Sequence, residues 1–432
     1  MPPPETPGPA PSVLASPRAW NAVALVLAAG MVWHLFQARL PVDQDDFSIY
    51  YRAAAELRAT GDPYASTPEP EALRAMSLEE ALATRAFLYP PLAAVILEPF
   101  SFLSQQAAQD AWFLVNLLCL AAFCRWSLRA LGWPEVERWK GVVFLGLLLT
   151  PPVQLTFRLG QMGLVLAALL IGAWLVAPRS SLAAGALLAF GGHLKLFPFL
   201  LPVAFRNRYP RVVPWTLAIG GGLFAASLAW FGPGPWGAFF RKVLGSVHYP
   251  VTGEFNVSLH GFLKRLFAAN PHTMSLWIVP GLAQVSIGVS SACVLWVCSR
   301  GGGKGEPDEA APLGYSLWLT GMLLLSPING TYNHGLLLFP VLAAWRSLVR
   351  GASPDRTGLR VLILAIALAC WPPGWAGGLP ELDRALRIGW GNLFLTPAFY
   401  GLVLIFLLLG RLVARSRGGG PVASSTGGFG DT

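Results

Sequence analysis

The sequence predicts an all-α polytopic membrane protein, and three observations predict it. Of the 432 residues, 54% are hydrophobic and only 12% charged. Several apolar runs approach the ~20 residues that a helix needs to cross a bilayer core. Those runs are continuous rather than alternating, which disfavours a membrane β-barrel. The net charge of +9 sits in short loops between the runs, as cytoplasmic loops require, so it implies no nucleic-acid partner. The five cysteines, Cys119, Cys124, Cys293, Cys298 and Cys370, lie in or at the ends of apolar segments. They read as small buried hydrophobes rather than a disulfide framework or a zinc site.

Residues 1–19 are Pro-rich and expected to be a disordered cytoplasmic N-terminus. A single transmembrane domain is expected over 20–412, followed by a flexible cytoplasmic tail at 413–432. The first apolar run, Trp20 to Phe36, has no small-x-small cleavage site and reads as an uncleaved span. It opens a first outer loop, 38–107, that begins with DQDDFSIYY. Asp and Glu total 22 residues in the whole chain, so three of them at a membrane mouth need a reason. DDFSIYYRAAAELRATGDPYAS reads as a helix with Asp46, Tyr50 and Ala53 on one face. The bland alternative is that Asp45 or Asp46 only caps that helix. Asp43 and Asp45 match the DxD spacing of metal-dependent sugar transferases, but no β/α alternation surrounds them. GDPYAS at 61–66 is a turn.

Leu88 to Leu103 is only about 16 residues long and carries Pro90, Pro91, Glu98 and Pro99, so a re-entrant or interface-lying helix is expected. Arg125, Arg129, Arg138 and Lys140 mark a cytoplasmic loop between the runs 108–128 and 141–156. The run 182–205 is interrupted by Lys195 and Pro198, which predicts two short helices turning at the outer face, since a charge in mid-bilayer is expensive. Four further basic loops, at Arg206–Arg211, Arg300 and Lys304, Arg346–Arg360 and Arg411–Arg417, orient the rest. Loops 232–273, 328–333 and 377–389 then fall outside, with about 12 transmembrane helices and both ends of the chain in the cytoplasm.

This topology gathers Asp43, Asp45, Asp46, Arg158, Gln161, Lys195, His248, Asn256, Asn329, Tyr332, Asn333 and His334 on one side. Polar groups at membrane depth are tolerated where they line protein or water. FNVSLHGFLKRLF at 255–267 is amphipathic and expected on the membrane surface, with Lys264 and Arg265 toward lipid phosphates.

The segments DFSIYYRAAAELRATGDPY, FLYPPLAAVILEPFSFL, RLGQMG, HLKLFPFLLP and SPINGTYNH, in that order, resemble the polyprenol-phosphate-sugar-dependent glycosyltransferases of family 87, within the GT-C superfamily. The resemblance covers roughly residues 20 to 345 and implies a GT-C-type helical bundle. It also implies a polyprenyl-phosphate-linked hexose donor, mannose in the mycobacterial members, and a glycan or glycolipid acceptor. Chemistry would take place on the outer face of a bacterial inner (plasma) membrane. The family's catalytic Asp falls on Asp46 with Tyr50 following. Its YPP element falls on Tyr89, Pro90 and Pro91, its GQ element on Gly160 and Gln161, and its KxxP element on Lys195 and Pro198. This chain departs from many relatives by reading GQMGL with no Asn near the Gln.

An acceptor hydroxyl needs a base as it attacks the anomeric carbon, and Asp46 is the candidate, in an inverting displacement. The departing lipid phosphate needs cations, for which Lys195, Arg158 and His334 are candidates. Asp45, Tyr50, Tyr89, Gln161, His193, Asn256, Asn329 and Asn333 are expected to contact substrate. No metal or cofactor is required on this reading, although the acids at 43–46 could bind a metal. The alternatives are a lipid-sugar transporter or flippase, which would thread charges across the bilayer, and a GT-C enzyme acting on protein or lipid A.

Overall fold

The computed structural model describes residues 16–42, 44–76, 80, 84–244, 252–301, 310–350 and 354–418. Asp43, His248, Lys304 and most of both chain ends lie outside the described residues. Within them the fold is helical, with two isolated bridges, Asn256 to Gly330 and Met274 to Ile388, in place of any sheet.

The helices in chain order are α1 (Pro17–Gln37), α2 (Phe47–Thr60), α3 (Pro91–Leu97), α4 (Gln105–Leu131), α5 (Lys140–Leu148), α6 (Pro151–Leu159), α7 (Gly163–Val176) and α8 (Ser181–Leu194). Then follow α9 (Val212–Phe231), α10 (Leu259–Phe267), α11 (Leu282–Ser299), α12 (Ala311–Leu325), α13 (Leu338–Val349), α14 (Arg356–Ala369) and α15 (Pro397–Gly418). Five of these described helices, α1, α4, α9, α11 and α15, are each long and apolar enough to cross a membrane. The expected dozen is not reached by length and composition, because α7, α8 and α12 are apolar but shorter.

Proline explains where the chain breaks. The run at 141–156, read as one span, is instead α5 and α6, bent by 63° with Pro151 and Pro152 opening the second helix. The run 182–205 divides as expected. Pro198 has no N–H for the carbonyl of Leu194 and would clash with it, so α8 ends there, Lys195 is extended at φ −144° and ψ 138°, and a 3₁₀ segment resumes at Phe197–Phe205. Leu88–Leu103 forms α3 and a short 3₁₀ turn, Glu98–Phe102.

α12 is the central post: every residue from Ala311 to Leu324 is buried, as a helix apolar all round must be when protein surrounds it. It packs against α11, α13, α15 and the 3₁₀ segment 197–205. α4, α7, α8 and α9 form a neighbouring row, and α1 lies along α5. The basic loops meet in pairs at one set of helix ends. Arg206 donates to the Ser299 carbonyl at 2.6 Å, Arg346 to that of Gly132 at 3.4 Å, and Arg411 and Arg415 pair with Asp355 at 3.1 and 2.6 Å.

The amphipathic stretch corrects one expectation. Arg265 does not face lipid; it is fully buried, donating to the carbonyls of Gly253 at 2.9 Å and Asn256 at 3.0 Å and to Thr396 Oγ1 at 3.0 Å. The guanidinium satisfies backbone acceptors that no water reaches, and so fixes the loop before α10.

Candidate active site

Asp45 and Asp46 divide the labour at the start of α2. The Asp45 carboxylate accepts the Ser48 N–H at 2.9 Å and Gln109 Nε2 at 2.7 Å, so Asp45 is the capping acid and is buried. Asp46 occupies the cap position yet makes no side-chain cap bond. Its backbone N–H goes to the Leu159 carbonyl at 2.8 Å, and its carboxylate is free to turn toward the end of α6.

There Gly160 ends α6 at φ +64°, where an L side chain is strained, and its missing Cβ would sit 2.7 Å from Phe47 Cβ. Trp112 Nε1 donates to the Gly160 carbonyl at 2.7 Å and its ring stacks on Phe47 at 5.5 Å. This close approach delivers Gln161 to the acid: Nε2 donates to Asp46 Oδ2 at 2.5 Å. Its Oε1 accepts from Tyr50 Oη at 3.0 Å and from Lys195 Nζ at 3.5 Å. A carboxylate only accepts and an ammonium only donates, so this amide orientation follows from its partners. Tyr50 and Tyr89 share a hydroxyl contact at 2.9 Å.

Lys195 Nζ also reaches Asn333 Oδ1 at 3.5 Å and lies 5.0 Å from the centre of the Tyr332 ring. Asn333 in turn donates to Asn329 Oδ1 at 3.0 Å, and Asn256 Oδ1 accepts the Asn329 N–H at 2.9 Å. These asparagines brace the 326–334 turn from behind.

Asp46, Tyr89, Gln161, Lys195 and Tyr332 line one cavity of about 710 Å³, together with Arg85 and His272. The remaining wall is largely aliphatic and aromatic, including Leu155, Leu159, Leu196, Leu200, Phe239 and Phe255. Burial pushes the Asp46 carboxyl above the ordinary carboxylate range, against the opposing pull of Gln161, Arg85 and Lys195. Burial likewise pushes Asp45 up to about 6, with Gln109 and Ser48 opposing it.

Several expected residues lie elsewhere. Arg158 is exposed and does not line the cavity, although Leu155 and Leu159 of the same helix do. His334 is buried with Nδ1 2.8 Å from the Ala369 carbonyl, and His193 is buried with Nε2 3.0 Å from that of Gly220. Tyr50, Asn256, Asn329 and Asn333 are buried behind the wall. Sequence reasoning missed Arg85, one arginine among many, and Gln109, a lone polar residue at the start of an apolar helix. Among the described residues no group of His, Cys, Asp and Glu is placed to hold a metal.

Fold and cavity together define a multi-pass helical membrane protein whose acid, amide and ammonium groups converge on a largely apolar cavity. The family model for glycosyltransferase family 87 matches residues 87–327, and the chain belongs to that family; it is a membrane glycosyltransferase. Asp46 precedes the matched stretch. A polyprenol-phosphate-mannose-dependent α-(1-2)-phosphatidylinositol mannoside mannosyltransferase of Mycolicibacterium smegmatis is 26% identical over 91% of each chain. The protein of the same description from Mycobacterium tuberculosis is 27% identical over 71% of this chain and 72% of its own. No solved structure matches. Family membership favours the enzyme over the transporter.

Proposed function

We propose that the protein moves a hexose, mannose by analogy with its relatives, from a polyprenyl-phosphate donor to a glycan or glycolipid acceptor on the outer face of a bacterial inner membrane. The observation that carries this reading is the chain from Asp46 through Gln161 to Lys195 on the wall of a largely apolar cavity of about 710 Å³. The prenyl chain would lie against the apolar wall, and the sugar phosphate between carboxylate and ammonium.

Asp46 is the proposed base. Among the described residues its Oδ1 accepts no hydrogen bond, while Oδ2 is held by Gln161. The acceptor oxygen attacks the anomeric carbon, its proton passes to Asp46, and the bond from that carbon to the phosphate oxygen breaks with inversion. The electron pair leaves on the lipid phosphate beside Lys195, whose ammonium opposes the developing negative charge. Arg158 and His334 have no part in this version of the site.

The family resemblance supports a GT-C arrangement in which the short apolar helices α7, α8 and α12 complete the membrane domain over 20–412, with 38–107 as its first outer loop. Sidedness is supported by the pairing of basic loops at one set of helix ends.

The test uses membranes containing the protein, labelled polyprenyl-phosphate-mannose and a phosphatidylinositol mannoside acceptor. Transfer is expected, and Asp46→Asn should lower it by about 10²–10⁴-fold at equal protein level. Transfer at the wild-type rate by Asp46→Asn would remove Asp46 from the mechanism.

A further inference from the structure

Arg85 stands on the cavity wall beside Asp46, and its guanidinium faces backward into the loop that carries the acid. Nη1 donates to the Asp45 carbonyl at 2.7 Å and to Ser48 Oγ at 3.2 Å, and Nη2 donates to the Gln44 carbonyl. The bracing is reciprocal. Arg52, from within α2, donates to the carbonyls of Arg85 at 2.5 Å and Thr84 at 3.3 Å. Each arginine thus holds the backbone of the segment that carries the other.

The backbone of Arg85 bears the cost of this arrangement. Among the described residues it is the one non-glycine with positive φ, at 46°. Such a conformation persists where surrounding contacts over-determine it, and it tends to do so at functional sites. Four residues further on, the same arm supplies Tyr89, whose hydroxyl meets that of Tyr50. The brace therefore joins the Asp46 loop to the arm that supplies Tyr89 to the cavity lining.

We infer that Arg85 is a positioning residue for the transfer reaction, clamping the 44–48 loop so that Asp46 meets the acceptor proton and lending that acid a neighbouring positive charge. The inference rests on the reading of Asp46 as base. Lysine could supply the charge but not the planar fork that reaches two carbonyls at once. Among the described residues, the charged or titratable groups electrostatically coupled to Asp46 are Arg85 and Lys195 as cations, Asp45 as an anion, and the hydroxyls of Tyr50, Tyr89 and Tyr332.

The experiment measures kcat, donor KM and the pH–rate profile of Arg85→Gln and Arg85→Lys in membranes, with Asp46→Asn alongside. Arg85→Gln should lower kcat by about tenfold to a hundredfold with donor KM little changed. It should also move the acid limb of the profile upward by about one pH unit. Arg85→Lys should leave the limb in place yet still lose about tenfold in kcat, because the fork is gone. If Arg85→Gln does not accumulate, Arg85→Met keeps the aliphatic stem and is read the same way, and Arg85→Lys tests the fork independently. An unmoved acid limb in the charge-free variant, or wild-type kcat in Arg85→Lys, overturns the inference. Wild-type activity in Asp46→Asn would instead overturn the underlying assignment of the base, whatever the Arg85 variants do.

Discussion

Gln161 Nε2 lies 2.5 Å from Asp46 Oδ2, and the other end of the same amide accepts from Lys195 Nζ at 3.5 Å. One neutral side chain thus separates the acid from the cation, using its donor toward one and its acceptor toward the other. Two charges that would collapse into an ion pair are kept apart, each with room for a substrate atom.

The amide should therefore be hard to replace. Gln161→Glu keeps the shape but sets an anion beside Asp46, raising the acid further and competing for Lys195. Its kcat is expected to fall by about 10²-fold, with a smaller change in donor KM. Steady-state transfer assays in membranes check this, and a wild-type kcat would show that the bridge has no role.

Lys195 should act on the departing phosphate more than on binding alone. Lys195→Ala is expected to lose about 10²–10³-fold in kcat, and Lys195→Arg to recover part of that by restoring charge. Comparable kcat for all three proteins would place the phosphate elsewhere in the cavity.

The raised carboxyls give two opposite pH dependences. Asp46 must be ionised to act as a base, so activity should fall on the acid side at a pH above the ordinary 3.8 of a free aspartate. For stability the sign is different. Asp45 is raised to about 6 in the folded protein, so the native state binds more protons than the unfolded one between 3.8 and about 6. Its contribution is then most favourable below that window and declines as pH rises through it. The melting temperature of wild type minus that of Asp45→Asn should fall between pH 4 and pH 7, measured in detergent; a rising difference would contradict the burial of this acid.

Gly160→Ala should destabilise by about 1–3 kcal/mol, since the position combines φ +64° with a Cβ site 2.7 Å from Phe47 Cβ. Thermal unfolding in detergent measures the loss. Because Gly160 also sets the approach of Gln161 to Asp46, residual protein should transfer sugar more slowly at temperatures where it remains folded.

Asp46, Gln161 and Lys195 were legible in the chain because each is a polar residue where apolar periodicity leads one to expect none, and the motifs around them carry the resemblance to family 87. Arg158 and His334 looked equally anomalous. One turns to the exposed side of α6, and the other is held by the Ala369 carbonyl of α14, 35 positions away in sequence. A rotation of one residue on a helix changes which face a side chain takes, and loop boundaries are not readable to that accuracy. Arg265 failed for a related reason: the 255–267 stretch has a charged side on either reading, and only the neighbouring carbonyls show that one cation turns inward.

By itself the sequence determined the helical class, the division of the 182–205 run at Lys195 and Pro198 and the acid at the start of α2. These depend on local rules, such as a missing N–H or a run of apolar residues, and local rules act within a few positions. Only the tertiary structure decided that Asp45 caps while Asp46 faces the cavity, that Gln161 stands between acid and ammonium, and that Arg85 and Arg52 brace each other. Those outcomes turn on contacts between segments 32 to 115 residues apart, where a few ångströms of helix packing decide which polar atoms meet.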